Sequence, residues 1–170
     1  MHNKIVNCNT MPENGQKRAY KKIIQMSVPC TPLARKYLLY NYGDELIMRN
    51  DNVSKILIAG LKRKDTRNDK AINMDIYPYM MPLKINIDWI LKAGPHFTPT
   101  AIQIFNKNIR DQVIHMMCIC TEILRSQNPD ITIKEAIKKY LRYIGINEDE
   151  LSLEAANKAY QRYRKRTKKN

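Results

Sequence analysis

Acidic residues are scarce in this chain: 16 Asp and Glu stand against 30 Lys and Arg in 170 residues, a formal charge of +14. An imbalance of that size excludes the near-neutral surface of an ordinary soluble protein and points to a polyanionic partner, DNA or RNA before an acidic membrane. Long hydrophobic runs are missing too. No stretch approaches the roughly 18 apolar residues a membrane span needs, and the first residues, MHNKIVNCNTMPENGQKRAYKK, are polar, so neither a membrane protein nor an exported one is expected. Cysteine is sparse: Cys8, Cys30, Cys118 and Cys120 form no CxxC pair, which fits reduced thiols in a cytoplasmic protein.

Glycine is equally thin, with five residues and no glycine-rich phosphate loop, and neither GxSxG nor HExxH occurs. The chain therefore reads as a non-enzyme, with no cofactor and no small-molecule substrate; the one catalytic alternative left open is a metal-dependent nuclease assembled from scattered carboxylates such as Asp44, Glu45, Asp75 and Asp88. His115, Cys118 and Cys120 invite a metal, but on a helix 115 and 118 share a face while 120 points away, so no site is assigned to them.

What is present is helix. Residues 1–29 carry Asn, Gln and Lys with one short apolar patch at Ile23 and Ile24, and read as a flexible basic arm with a single helical turn. Thr31-Pro32 opens a helix that Gly43 closes, over about 32–42, and a second is predicted near 51–61. ELIMR and INMDIYPYMMPLKINI are strand candidates for a β-ribbon, with Pro78 and Pro82 confining the latter to an edge. A short helix ending at Gly94 completes a small α+β part, 30–95.

From Thr98-Pro99, apolar residues recur every three or four positions (Ile102, Phe105, Ile109, Val113, Met116, Cys120, Ile123), predicting one long helix over 99–127. A stripe of that length favours a homodimer through this helix over purely internal packing. Thr132 and Glu135 form a capping box for the next helix, Gly145 closes it, and a last helix follows with Ala156, Ala159, Tyr160 and Tyr163 on its apolar side. The fold expected is mainly α with a minor α+β component, the helical part covering 98–170 and ending in a helix-turn-helix-like pair joined by a short turn.

The last helix carries the candidate site. Asn157, Lys158, Gln161 and Arg162 lie away from its apolar side, and Asn or Gln pair with adenine as Arg or Lys pair with guanine. Lys165 shares that outward side, Arg164, Arg166, Lys168 and Lys169 add backbone contacts, and Lys62, Arg63, Lys64 and Arg67 of the KRKDTRNDK loop add sequence-independent attraction. Against this stand Glu148, Asp149, Glu150 and Glu154, which crowd the start of the same helix and would repel phosphates they faced.

The layout, a small lysine-rich protein with a basic helix-turn-helix-like C-terminus, resembles accessory DNA-binding proteins of phages and transposable elements. The resemblance implies a transcriptional regulator or an accessory factor of a mobile element. Two other readings stay open: an RNA or single-strand binder that stacks bases on Tyr77 and Tyr79, and an interaction subunit of a larger nucleoprotein complex.

Overall fold

The computed structural model of the chain describes residues 22–47, 52–62 and 73–167. The protein is mainly α with a minor sheet component, as its periodicities predict. Helices α1 (Pro32–Tyr42), α2 (Asn52–Ala59), α3 (Ile87–Ala93), α4 (Pro99–Gln127), α5 (Ile133–Tyr143) and α6 (Leu153–Thr167) alternate early with strands β1 (Ile23–Cys30), β2 (Leu46–Ile47), β3 (Leu61–Lys62), β4 (Tyr79–Asn86) and β5 (His96–Phe97).

The helix starts follow from their caps. The Thr31 and Thr98 hydroxyls each accept a hydrogen bond from the backbone N–H three residues on, and a proline fills the next position, where no N–H is required. Thr132 and Glu135 close a reciprocal capping box on α5. Gly145, at φ 71°, takes the left-handed turn past the end of α5, a conformation that disfavours any side chain.

Two expectations are corrected in the sheet. Residues 23–29 are not part of a flexible arm: Ile23–Cys30 forms an eight-residue strand, antiparallel to all of β4. Burial of the sheet is what orders it, since Val28 and Cys30 are fully buried and Ile24 and Met26 half-buried on alternate positions. The proline-bearing segment is also not an edge, because the strand order is β1-β4-β2. Pro82 is tolerated there because β2 pairs only with Leu83 and Lys84, so Pro82 itself has a ladder neighbour on the β1 side alone. The expected pairing of ELIMR with this segment is present at Leu46–Ile47, in parallel orientation.

Helix α4, 29 residues long, supplies side chains to both cores of the molecule. Phe105 and Ile109 join Val28, Leu38, Leu57 and Leu83 in a sheet-side core. Further along, Val113, Met117 and Cys118 join Ile137, Tyr140, Leu141 and Tyr160 in a helical core. Most of the stripe that favours dimerisation is thus spent within the chain, leaving Met116 (41% exposed) and Ile123 (49%) at its surface. Buried Asn106 fastens the junction of β1 and α1 to α4. Its Oδ1 accepts from Thr31 N–H at 2.8 Å, and its Nδ2 lies 3.0 Å from Pro29 O and 2.9 Å from Ile102 O.

Candidate nucleic-acid interface

The terminal basic run, as far as Thr167, is a helix docked on the protein. Tyr160 is fully buried, and its hydroxyl donates to Glu122 Oε1 of α4 at 2.7 Å. Burial raises the tyrosine pKa, the bond to Glu122 raises it further, and the nearby cations Arg125 and Arg164 oppose the rise. Ala156 is buried beside it, and Tyr163 meets His115 edge-on at 6.1 Å. Those contacts set the helix's rotation and decide which of its side chains face outward.

Gln161, Arg162, Lys165 and Arg166 are exposed, as is Lys158, while Asn157 and Arg164 lie on the flanks and are half-covered. The seven predicted positions on α6 are therefore brought to one helix surface but are not equivalent. Arg164 Nε is 3.5 Å from Glu122 Oε1, so its charge is partly engaged in holding α6 to α4. Lys158 pairs with Glu154 at 2.6 Å one turn earlier. Among the described residues, Arg162, Lys165 and Arg166 make no ion pair and retain their full positive field.

Three of the four acids at the start of α6 have structural contacts. Glu148 Oε1 accepts the Leu153 N–H at 3.0 Å and so caps the helix. Glu150 reaches Lys36 of α1 at 2.8 Å and accepts the Asn147 N–H at the same distance. Of the four, Glu154 alone lies within α6, where it faces Lys158 rather than an anion.

The connection between α5 and α6 corrects the helix-turn-helix expectation. That motif joins its helices by a turn of about three or four residues. Here the linking segment runs over 144–152, and Ile144, Ile146 and Leu151 are buried in the helical core. Those apolar side chains pull the segment inward, giving a longer packed connection in place of a short turn.

Of the four loop cations, Lys62 is the one within the described residues. Lys62 is exposed in β3, which pairs with β5 just beyond α2, whose Val53 and Leu57 lie in the sheet-side core. Arg63, Lys64 and Arg67 lie outside the described residues, as do Lys168 and Lys169. Tyr77 is buried (7% exposed), and the Arg35 guanidinium sits over the Tyr79 ring at 4.9 Å.

One basic surface escapes the sequence reading. On α5, Lys134, Lys138, Lys139 and Arg142 are all exposed, opposite buried Ala136, Ile137, Tyr140 and Leu141. The signal was available, since KEAIKKYLR alternates apolar and basic positions at helical spacing. The single acid on this helix, Glu135, is bound to Thr132 by the capping box, whose hydrogen bonds, helped by the nearby Lys138 charge, hold its carboxyl below the ordinary range.

Among the described residues no helix is long and apolar enough to cross a membrane. No protein-family model, no curated protein and no solved structure matches the chain.

Proposed function

We propose that the chain is a non-enzymatic duplex-DNA-binding protein that presents the outer surface of α6 to DNA. A role as a regulator or accessory factor of a mobile element fits its size and charge. One observation carries the reading: a rigid helix, anchored by buried Tyr160, turns Gln161, Arg162, Lys165 and Arg166 outward with no ion-pair partner on its three cations. Gln161 and Arg162 have the chemistry to read base edges, and Lys165 and Arg166 to neutralise phosphates. Asn157 and Lys158 extend the surface toward the start of the helix.

A duplex fits better than a single strand stacked on Tyr77 and Tyr79, because such a site depends on open aromatic faces. Tyr160 and Tyr77 are buried, and Tyr79 is already covered on one side by Arg35. A homodimer through α4 would have Met116 and Ile123 as its apolar contacts.

The test uses exposed side chains, because removing α6 would take Ala156 and Tyr160 out of the core. Labelled duplex is titrated at several salt concentrations with the native chain and with R162A/K165A/R166A. At about 0.9 per phosphate contact, the triple variant should lose roughly 2 to 3 from the slope of log Kobs against log salt. The single change Arg162→Ala should weaken binding by about 1 to 3 kcal/mol and relax base preference if the side chain reads guanine. Unchanged slope and affinity in the triple variant would remove α6 from the interface.

A further inference from the structure

We infer that α5 is a second DNA-contacting element, its outer surface gripping the phosphate backbone while α6 faces the groove. The inference rests on the duplex-binding reading and adds to it a surface that α6 does not contain. Lys134, Lys138 and Arg142 stand at i, i+4 and i+8, one row along the helix, with Lys139 beside it. All four are exposed, and none is in an ion pair among the described residues. By contrast, two of the five cations on α6 over 157–166, Lys158 and Arg164, already face a carboxylate. Unpaired positive charge is thus at least as concentrated on α5 as on α6.

The row has the right dimensions for a backbone. At 1.5 Å per residue it extends roughly 12 Å, against a phosphate spacing of about 3.4 Å along the axis of each strand. Its side chains are of the type that positions a protein on DNA without reading sequence: three flexible ammonium groups and one guanidinium. Its place is also shared with α6. Lys138 and Arg142 line one wall of a shallow cleft of about 360 Å³ whose other wall includes Gly145, Asn147 and Leu153, the first residue of α6. A ligand lying along that cleft touches the α5 row and the entry to α6 together. Glu148, which also borders the cleft, directs its carboxylate to the Leu153 N–H.

The decisive experiment compares three full-length proteins on the same labelled duplex across a salt series: the native chain, K134A/K138A/K139A/R142A, and R162A/K165A/R166A. Native circular dichroism is checked for each. A second α5 variant with glutamine at the same four positions keeps most of the aliphatic stems, in case alanine disturbs the helix. The α5 variants should lose about 3 to 4 from the salt slope, so that a fourfold rise in salt weakens their binding roughly 100-fold less than it weakens that of the native chain. Folded α5 variants that keep the native slope, beside an α6 variant that loses it, would overturn this inference and leave the α6 reading standing. Loss in the α5 variants alone would support the α5 contact and overturn the placement of α6 in the groove. A native chain that ignores duplex DNA, or that binds only RNA, would overturn both.

Discussion

Cys30 and Cys118 show how the interior treats a titratable side chain. Cys30 is fully buried, and burial pushes its thiol up to about 12, against weaker opposing pulls from the Met81 backbone and the Arg35 charge. Cys118 is pushed to about 11, first by burial and then by the nearby Glu122 carboxylate. In the unfolded chain both thiols ionise around pH 9, whereas the folded protein keeps them protonated. The native state thus binds more protons above about pH 9, and stability falls as pH rises through the range between the two values. Urea midpoints should decline between about pH 9 and 11, and less steeply in Cys30→Ala/Cys118→Ala, whose starting midpoint is lower. Parallel pH curves for the two proteins would show that other groups govern the alkaline loss. Asn106 illustrates the same economy on the polar side: a buried amide is tolerated because its oxygen and nitrogen are both satisfied by backbone groups.

Among the elements, the contact of α2 with α4 turns on one missing side chain. A Cβ placed on Gly60, just past α2, would fall 2.5 Å from Ala101 Cβ of α4. Gly60→Ala should therefore lower stability by about 1 to 3 kcal/mol, read from the urea midpoint, as the helices are forced apart. The paired change Gly60→Ala/Ala101→Gly should recover part of that loss, and a single variant as stable as the native chain would deny the close approach. Elements were legible in the sequence where a local signal marked their ends. Thr-Pro pairs and a capping box delimit α1, α4 and α5 because the side chain that starts each helix is itself in the sequence. Strand β1 was hidden because apolar Ile23 at one end and Pro29 at the other obscure the alternation of Ile24, Met26 and Val28. The central place of β4 depends on how short β2 is, which is a property of pairing rather than of either segment.

The candidate surface was legible in kind and incomplete in extent. Periodicity placed Lys158, Gln161, Arg162 and Lys165 away from the apolar side of α6, and they are exposed. It had no access to partners distant in sequence, and so counted Arg164 beside Arg166 as a free backbone contact, although Glu122, on another helix, holds it. The acids before α6 looked like an obstacle for the same reason: the contact of Glu150 with Lys36 spans most of the chain.

At the scale of the whole molecule, α4 matters most for what it shares. Because one helix places Phe105 and Ile109 in the sheet-side core and Val113 and Met117 in the helical core, neither half can melt without stripping apolar cover from the other. The two halves should unfold together as a single cooperative transition. Trp89, the chain's one tryptophan, sits in α3 beside the sheet, so its fluorescence reports on one half while helical circular dichroism is weighted toward the other. Coincident denaturant midpoints from the two signals are expected, and separated ones would mean that the cores are energetically independent. In a protein built this way the helices proposed to bind DNA are not a loosely held appendage: thermal damage that begins at the sheet, far along α4 from the basic helices, disables both halves at once.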